Sequence, residues 1–130
     1  METHVDRKFV LTASGYGLLG LALGIYMAAS HDHGQRVTHA HIMLIGFAVS
    51  FFYAAAHRLW LSTDGERLAR IQFYAHQIGT AGVVLGLYLL YGGHVPMERI
   101  EPLLAGSSVV VLIAFAMMKW QLIRARPERA

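Results

Sequence analysis

Four long apolar stretches constrain this sequence more than any other feature. They cover residues 9–29, 38–60, 71–91 and 102–120 of a 130-residue chain and leave only short connections between them. About 20 residues in a helix are enough to cross the roughly 30 Å hydrocarbon core of a membrane. Lipid offers no partner to an unpaired backbone group, so each stretch is predicted to form a transmembrane helix. The sequence therefore predicts an all-α integral membrane protein, with residues 1–130 forming a single four-helix bundle.

Basic residues are distributed unevenly along the chain. In an up-down-up-down arrangement, one side holds nine of them: Arg7, Lys8, Arg58, Arg67, Arg70, Lys119, Arg124, Arg126 and Arg129. The other side holds only Arg36 and Arg99. By the positive-inside rule, this asymmetry predicts that both termini are cytoplasmic and that the protein is a multi-pass protein of a bacterial-type inner (plasma) membrane. The net charge of +3 is then explained by contacts with membrane lipid headgroups, and no nucleic-acid partner is predicted.

Two pairs of glycines have the spacing that lets membrane helices approach closely. Gly20 and Gly24 lie in the first stretch, and Gly82 and Gly86 lie in the third. Each pair places a bare ridge on one helix face. Packing within the chain and packing between chains both explain such a ridge, so the pattern leaves an oligomer interface open.

Two histidines open the second apolar stretch, in the segment His39-Ala40-His41. Ionisable side chains are costly in a membrane and indicate a functional site. At about 100° per residue they lie about 200° apart on a helix, so they are predicted to serve two different sites. His39 also begins a stripe with alternating spacings of four and three, made of His39, Met43, Gly46, Ser50, Tyr53 and His57.

His57 and His76 form a second candidate pair. They lie at similar depth near the inner ends of consecutive antiparallel helices, where a heme with two histidine ligands is conceivable. The alternatives are that His57 reaches toward the membrane surface and that His76 is a hydrogen-bonded packing residue beside Gln72 and Thr80.

The chemistry around the first pair favours heme over a hard metal ion. The small residues Ala40 and Gly46 are predicted to leave space for a large flat group, and the aromatic residues from Phe47 to Tyr53 could wall it. The chain has no cysteine, which excludes thiolate ligands and covalent heme attachment. Heme b is therefore the predicted cofactor, and copper is left open.

Residues 38 to about 90 resemble two consecutive helices of subunit I of the heme-copper oxidases. The resemblance is closest to the C-type cytochrome oxidases and the nitric oxide reductases. It covers about two fifths of the chain and is carried by His39-Ala40-His41, Gly46-Phe47, Leu68, Phe73-Tyr74 and Gly79. The resemblance implies that His39 ligates a high-spin heme and that His41 ligates a low-spin heme.

The same resemblance implies an assembly. Subunit I of that family has twelve helices in three arcs of four, and this chain resembles one arc, which predicts a homotrimer. The helices that carry the copper-binding histidines and the cross-linked tyrosine of the family have no counterpart here. A complete heme-copper centre is therefore not implied.

The predicted function is electron transfer, or redox and gas-ligand chemistry, at a b-type heme. One form of this function is an oxidoreductase that receives electrons from a quinol or a cytochrome. One alternative is a non-enzymatic heme or gas sensor, or an assembly partner of a respiratory complex. The other is a membrane protein that handles copper or zinc through its loop histidines, His31, His33 and His94.

Overall fold

Four long helices make up the structure, a computed structural model that describes residues 4–61 and 66–125. The helices are α1 (Val5–Ser30), α2 (Arg36–Leu59), α3 (Glu66–Tyr91) and α4 (Met97–Arg124). Each is long and apolar enough to cross a membrane, and the described residues contain no strand. The predicted all-helical fold with four membrane-length helices is confirmed. Arg126 and Arg129, counted above in the charge asymmetry, lie outside the described residues.

The helices extend beyond the apolar stretches that predicted them. The first begins at Val5, and the fourth begins at Met97 rather than at Pro102. A helix keeps its backbone hydrogen bonds where it leaves the hydrocarbon, so it can continue through the headgroup region. The extended residue Pro96 precedes α4, and Pro102 lies inside its second turn.

The middle of α2 is not a regular α-helix. Its residues Ile42–Val49 form a π-helix, between α-helical segments Arg36–His41 and Ser50–Leu59. The regular helical geometry assumed for this stretch is therefore wrong. Such distortions occur where a side chain enters the backbone hydrogen-bond ladder. Here the imidazole of His76 on α3 lies with Nε2 at 2.9 Å from the carbonyl oxygen of Ile45.

Helix α1 packs closely against α2 along its first glycine ridge. A Cβ atom at Gly20 would overlap the side chain of Met43, and one at Gly24 would lie 3.1 Å from the ring of His39. Rising residue numbers on α1 meet falling numbers on α2, so the two helices run in opposite directions. The ridge is used within the chain.

Helix α3 packs against α4 in the same way. A Cβ atom at Gly82 would overlap Ser107, and one at Gly86 would lie 2.6 Å from Leu104. These two helices also run in opposite directions. Both glycine ridges are therefore filled by neighbouring helices of the same chain, and neither supports an interface between chains.

The main apolar core lies at one end of the bundle. It is formed near the start of α1 and α3 and near the end of α2 and α4, by Val5, Phe9, Tyr53, Ala54, Ala56, Ala69, Phe73 and Met118. All four helices thus contribute to one cluster. Elsewhere, large apolar side chains on every helix face outward, as lipid-facing surfaces do.

Candidate functional site

The imidazole of His39 is hydrogen-bonded to the backbone of α1. The half-buried side chain places Nδ1 at 2.8 Å from the carbonyl oxygen of Gly20. A carbonyl oxygen only accepts hydrogen bonds, so Nδ1 carries the proton. Nε2 then keeps its lone pair in the neutral ring and has no hydrogen-bond partner among the described residues. The bare surface at Gly24 makes room for the ring.

His41 adopts the same protonation pattern by a different contact. Its Nδ1 lies 2.9 Å from the carbonyl oxygen of Val37, one turn earlier in α2, and therefore donates to it. Among the residues described, Nε2 of this half-buried ring is also unpaired. Ala48 and Phe52, which a regular α-helix would place on the same side as His41, are exposed, but the π segment separates them from it. The exposed part of the His41 ring is open to lipid or to another chain.

The two imidazoles of His39 and His41 are in the form that binds a metal. A ligating histidine usually donates its other ring N–H to a carbonyl or carboxylate, which sets the tautomer and the ring orientation. Here backbone carbonyls do this for both rings. The donor chemistry therefore fits axial ligation of heme iron.

The space next to Gly46 is already filled. A Cβ atom there would lie 2.6 Å from the ring of Tyr16 on α1, so the expectation that Gly46 leaves room for a flat cofactor is wrong. Close packing of α1 on α2 is the reason. A large group beside α2 would instead have to use an exposed part of its surface.

The aromatic residues of α2 do not form one wall. Phe52 stacks on Phe115 of α4, with ring centroids 6.1 Å apart, and Tyr53 is fully buried in the core. Phe51 is 52% exposed, and Phe47 packs over α1. These four rings lie in four different environments, since neighbouring helix residues point in different directions.

His76 is fully buried between α2 and α3. Its Nε2 lies 2.9 Å from the carbonyl oxygen of Ile45, 3.1 Å from Ser50 Oγ and 3.3 Å from Thr80 Oγ1. The carbonyl requires Nε2 to be the protonated nitrogen of the neutral ring. His76 is therefore a hydrogen-bonded packing residue, the alternative considered for it from the sequence.

His57 turns inward rather than toward the membrane surface. Its Nε2 lies 3.0 Å from Oε1 of Gln72, and its ring stacks on Phe9 at 5.6 Å between centroids. The ring of Phe9 also lies 6.4 Å from that of His76. A heme shared by His57 and His76 stays a prediction, and it would have to displace this packed phenyl ring.

The loop histidines are exposed. Nδ1 of His33 lies 3.3 Å from the carbonyl oxygen of His31, and His94 stacks on Tyr88 at 6.0 Å between centroids. Within residues 4–61 and 66–125, no three histidine, aspartate or glutamate side chains are grouped so as to hold a metal ion. Copper or zinc handling by these histidines stays a prediction.

Sequence reasoning placed Gln72 and Thr80 beside His76 but missed the remaining members of this polar cluster in the core. Gln72 Oε1 accepts from Nε2 of Gln121 on α4 at 3.0 Å, in addition to its contact with His57. The spacing of Gln72, His76 and Thr80, each four residues apart, is the signal for their shared face on α3. The partners on α2 and α4 required the tertiary structure.

The candidate site is thus the pair His39 and His41 at the start of α2, with each ring anchored through Nδ1. His57 and His76 form a separate polar group, deeper in the bundle, and both commit Nε2 to protein oxygens. No family model, no curated protein and no solved structure matches this chain.

Proposed function

We propose that this protein is a membrane b-type heme protein in which His39, His41 or both ligate the iron. The observation that carries the proposal is the shared state of the two rings. Each donates Nδ1–H to a backbone carbonyl and keeps Nε2 for a ligand. When bound, heme supplies one-electron redox chemistry, or gas binding if one axial position is open.

The residues around each ring set how it binds. The Gly20 carbonyl holds the His39 imidazole in place, and Val37 does the same for His41. Hydrogen bonds of this kind raise the basicity of the ligand nitrogen and reduce the ring reorientation needed on binding. The two histidines serve two different sites, because His39 packs against α1 whereas His41 bonds only within α2.

The proposed setting is a bacterial-type inner membrane, with an up-down-up-down order and both termini in the cytoplasm. Arginine and lysine enrichment at one end supports this orientation. The polar core cluster then lies in the cytoplasmic half, and His39 and His41 lie near the outer surface. Cysteine replacements in the 31–35 and 92–96 loops, labelled with a membrane-impermeant thiol reagent in intact cells, test it. Labelling only after lysis would contradict it.

The proposed assembly is a homotrimer. It is supported by the resemblance to one four-helix arc and by the open side of α2 at His41, where a second chain could complete a heme pocket. Native mass spectrometry of the detergent-solubilised protein tests it directly. A monomer with full heme occupancy would contradict the trimer but not the heme ligation.

Absorption spectra of the oxidised and reduced protein, purified from heme-replete cells, test the central proposal. We expect a Soret band that is lost or strongly reduced in His39→Ala, in His41→Ala or in both. His94→Ala is the matched control, because this exposed loop imidazole should leave the spectrum unchanged. Absence of a Soret band from the unmodified protein would refute heme binding.

The same preparation separates the competing functions. Oxidation of a quinol or a reduced cytochrome coupled to oxygen or nitric oxide consumption would identify an oxidoreductase. A normal heme spectrum without turnover would favour a sensor or an assembly partner of a respiratory complex. Colourless protein that retains stoichiometric copper or zinc would favour metal handling.

A further inference from the structure

Three buried side chains in the core each have a polar atom without a partner. Tyr53 Oη, Gln72 Nε2 and His76 Nδ1 have no hydrogen-bond partner within the described part of the chain. All three residues are 0% exposed. A buried polar atom left unpaired costs about 1–3 kcal/mol, and such atoms are rare in native proteins. Each of the three therefore needs an explanation.

The three side chains are neighbours. The rings of Tyr53 and His76 meet edge to face, with centroids 4.9 Å apart. Gln72 precedes His76 by four residues on α3, so both project from the same helix face. The three side chains that carry the unpaired atoms therefore belong to one cluster, between α2 and α3.

The hydrogen-bonding roles of the three atoms differ. Nδ1 of His76 is an acceptor in the neutral ring, because Nε2 donates to the Ile45 carbonyl. Nε2 of Gln72 is a donor, and the Tyr53 hydroxyl can donate or accept. A ligand that satisfies all three must both donate and accept hydrogen bonds. A metal cation would meet the Gln72 amide protons, and an anion would meet the lone pair of His76.

We propose that Tyr53, Gln72 and His76 form a binding site for resident water. Water is small, neutral, and both a donor and an acceptor, and buried waters typically make about three hydrogen bonds to groups of this kind. The proposal is independent of heme, since these atoms are separate from the Nε2 atoms of His39 and His41. No existing hydrogen bond in the cluster has to break.

The water site supports the unusual geometry of α2. A water hydrogen-bonded to Nδ1 holds the His76 ring in the orientation in which Nε2 donates to the Ile45 carbonyl, in the middle of the π segment. The same water site connects the contact between His76 and Ile45 to the hydrogen bond between His57 and Gln72. A continuous polar connection then links the C-terminal end of α2, at His57, to the distorted centre of the helix.

Tyr53→Phe is the first test, with Tyr74→Phe as the matched control. Tyr74 is 54% exposed and lies between Gln72 and His76 in sequence, about 200° from each around α3. If the Tyr53 hydroxyl binds water, Tyr53→Phe lowers the ratio of folded to unfolded protein about two- to tenfold, because one net hydrogen bond is lost. Tyr74→Phe leaves this ratio unchanged. If the hydroxyl lies in a dry core, Tyr53→Phe leaves the ratio unchanged or raises it, which would overturn the proposal.

Nuclear magnetic resonance gives an independent readout. In histidine-labelled protein in lipid nanodiscs, we expect magnetisation transfer from water to the His76 imidazole, weakened in Tyr53→Phe and in Gln72→Leu. Gln77→Leu is the control for the amide, because Gln77 bonds to Thr12 and lies outside the cluster. No water transfer to His76 in the unmodified protein would refute the site.

Discussion

Replacing Gly46 by alanine tests how closely α1 packs on the π segment of α2. The added Cβ would lie 2.6, 2.8 and 2.9 Å from Cγ, Cδ1 and Cβ of Tyr16. Ordinary contact begins at about 3.4 Å, so the closest pair is about 0.8 Å too near. Because the Tyr16 Cβ itself is involved, rotation of the ring about its side-chain bonds cannot relieve the overlap. The two helices must separate.

The magnitude follows from the size of this overlap. Overpacking of one carbon typically costs about 1–3 kcal/mol, and the contact with a Cβ atom places Gly46→Ala near the upper end. The higher helix propensity of alanine offsets about 1 kcal/mol of this cost. We therefore expect a net loss of about 2 kcal/mol in the free energy of unfolding.

Gly15→Ala is the matched control for this change. Gly15 lies on α1, and a Cβ atom added there would have no neighbouring atom within 4 Å. Gly15→Ala should therefore raise the free energy of unfolding by up to about 1 kcal/mol, through helix propensity alone. Titration with a denaturing detergent, followed by circular dichroism, compares the two variants with the unmodified protein. A Gly46→Ala variant as stable as Gly15→Ala would refute the packing assigned to Tyr16.

Three further predictions use the same unfolding measurement. Phe9→Ala should cost about 3–5 kcal/mol, because this fully buried ring joins the core from all four helices; a loss below 1 kcal/mol would contradict that role. Arg58→Gln should change stability by less than about 1 kcal/mol, since its 3.5 Å contact with Asp6 involves a side chain 77% exposed, and a larger loss would show a stronger pair. Gly82→Ala should destabilise the packing of α3 against α4, because the added Cβ overlaps Ser107. Adding Ser107→Ala should restore part of the lost stability, and a double mutant whose stability loss is the sum of the two single losses would argue against the contact.

Some features of the candidate site follow from the sequence through helical spacing. The stripe from His39 to His57 on α2 was predicted as one face, and its members Gly46, Ser50 and Tyr53 are buried in the structure. Side chains three and four residues apart lie on the same side of a regular α-helix, so the argument applies outside the π segment Ile42–Val49. The change to a π-helix was not predictable, since it involves a contact with His76, 31 residues further along the chain.

The glycine pairs show the limit of spacing arguments. Their pattern predicts a surface that another helix can approach, but it does not identify that helix. The structure decides that Gly24 receives His39 and that Gly82 receives Ser107, both within the chain. A ridge that is compatible with an oligomer is thereby used for packing inside the protomer.

The sequence by itself determined the all-helical, membrane-length architecture. Runs of about 20 apolar residues leave the backbone no other way to pair its polar groups in lipid. Only the tertiary structure decided the state of each histidine. Whether a ring keeps Nε2 free, as His39 does against Gly20, or commits it, as His76 does to Ile45, depends on which carbonyl lies within about 3 Å. That distance is set by helix packing, which brings together residues far apart in the chain.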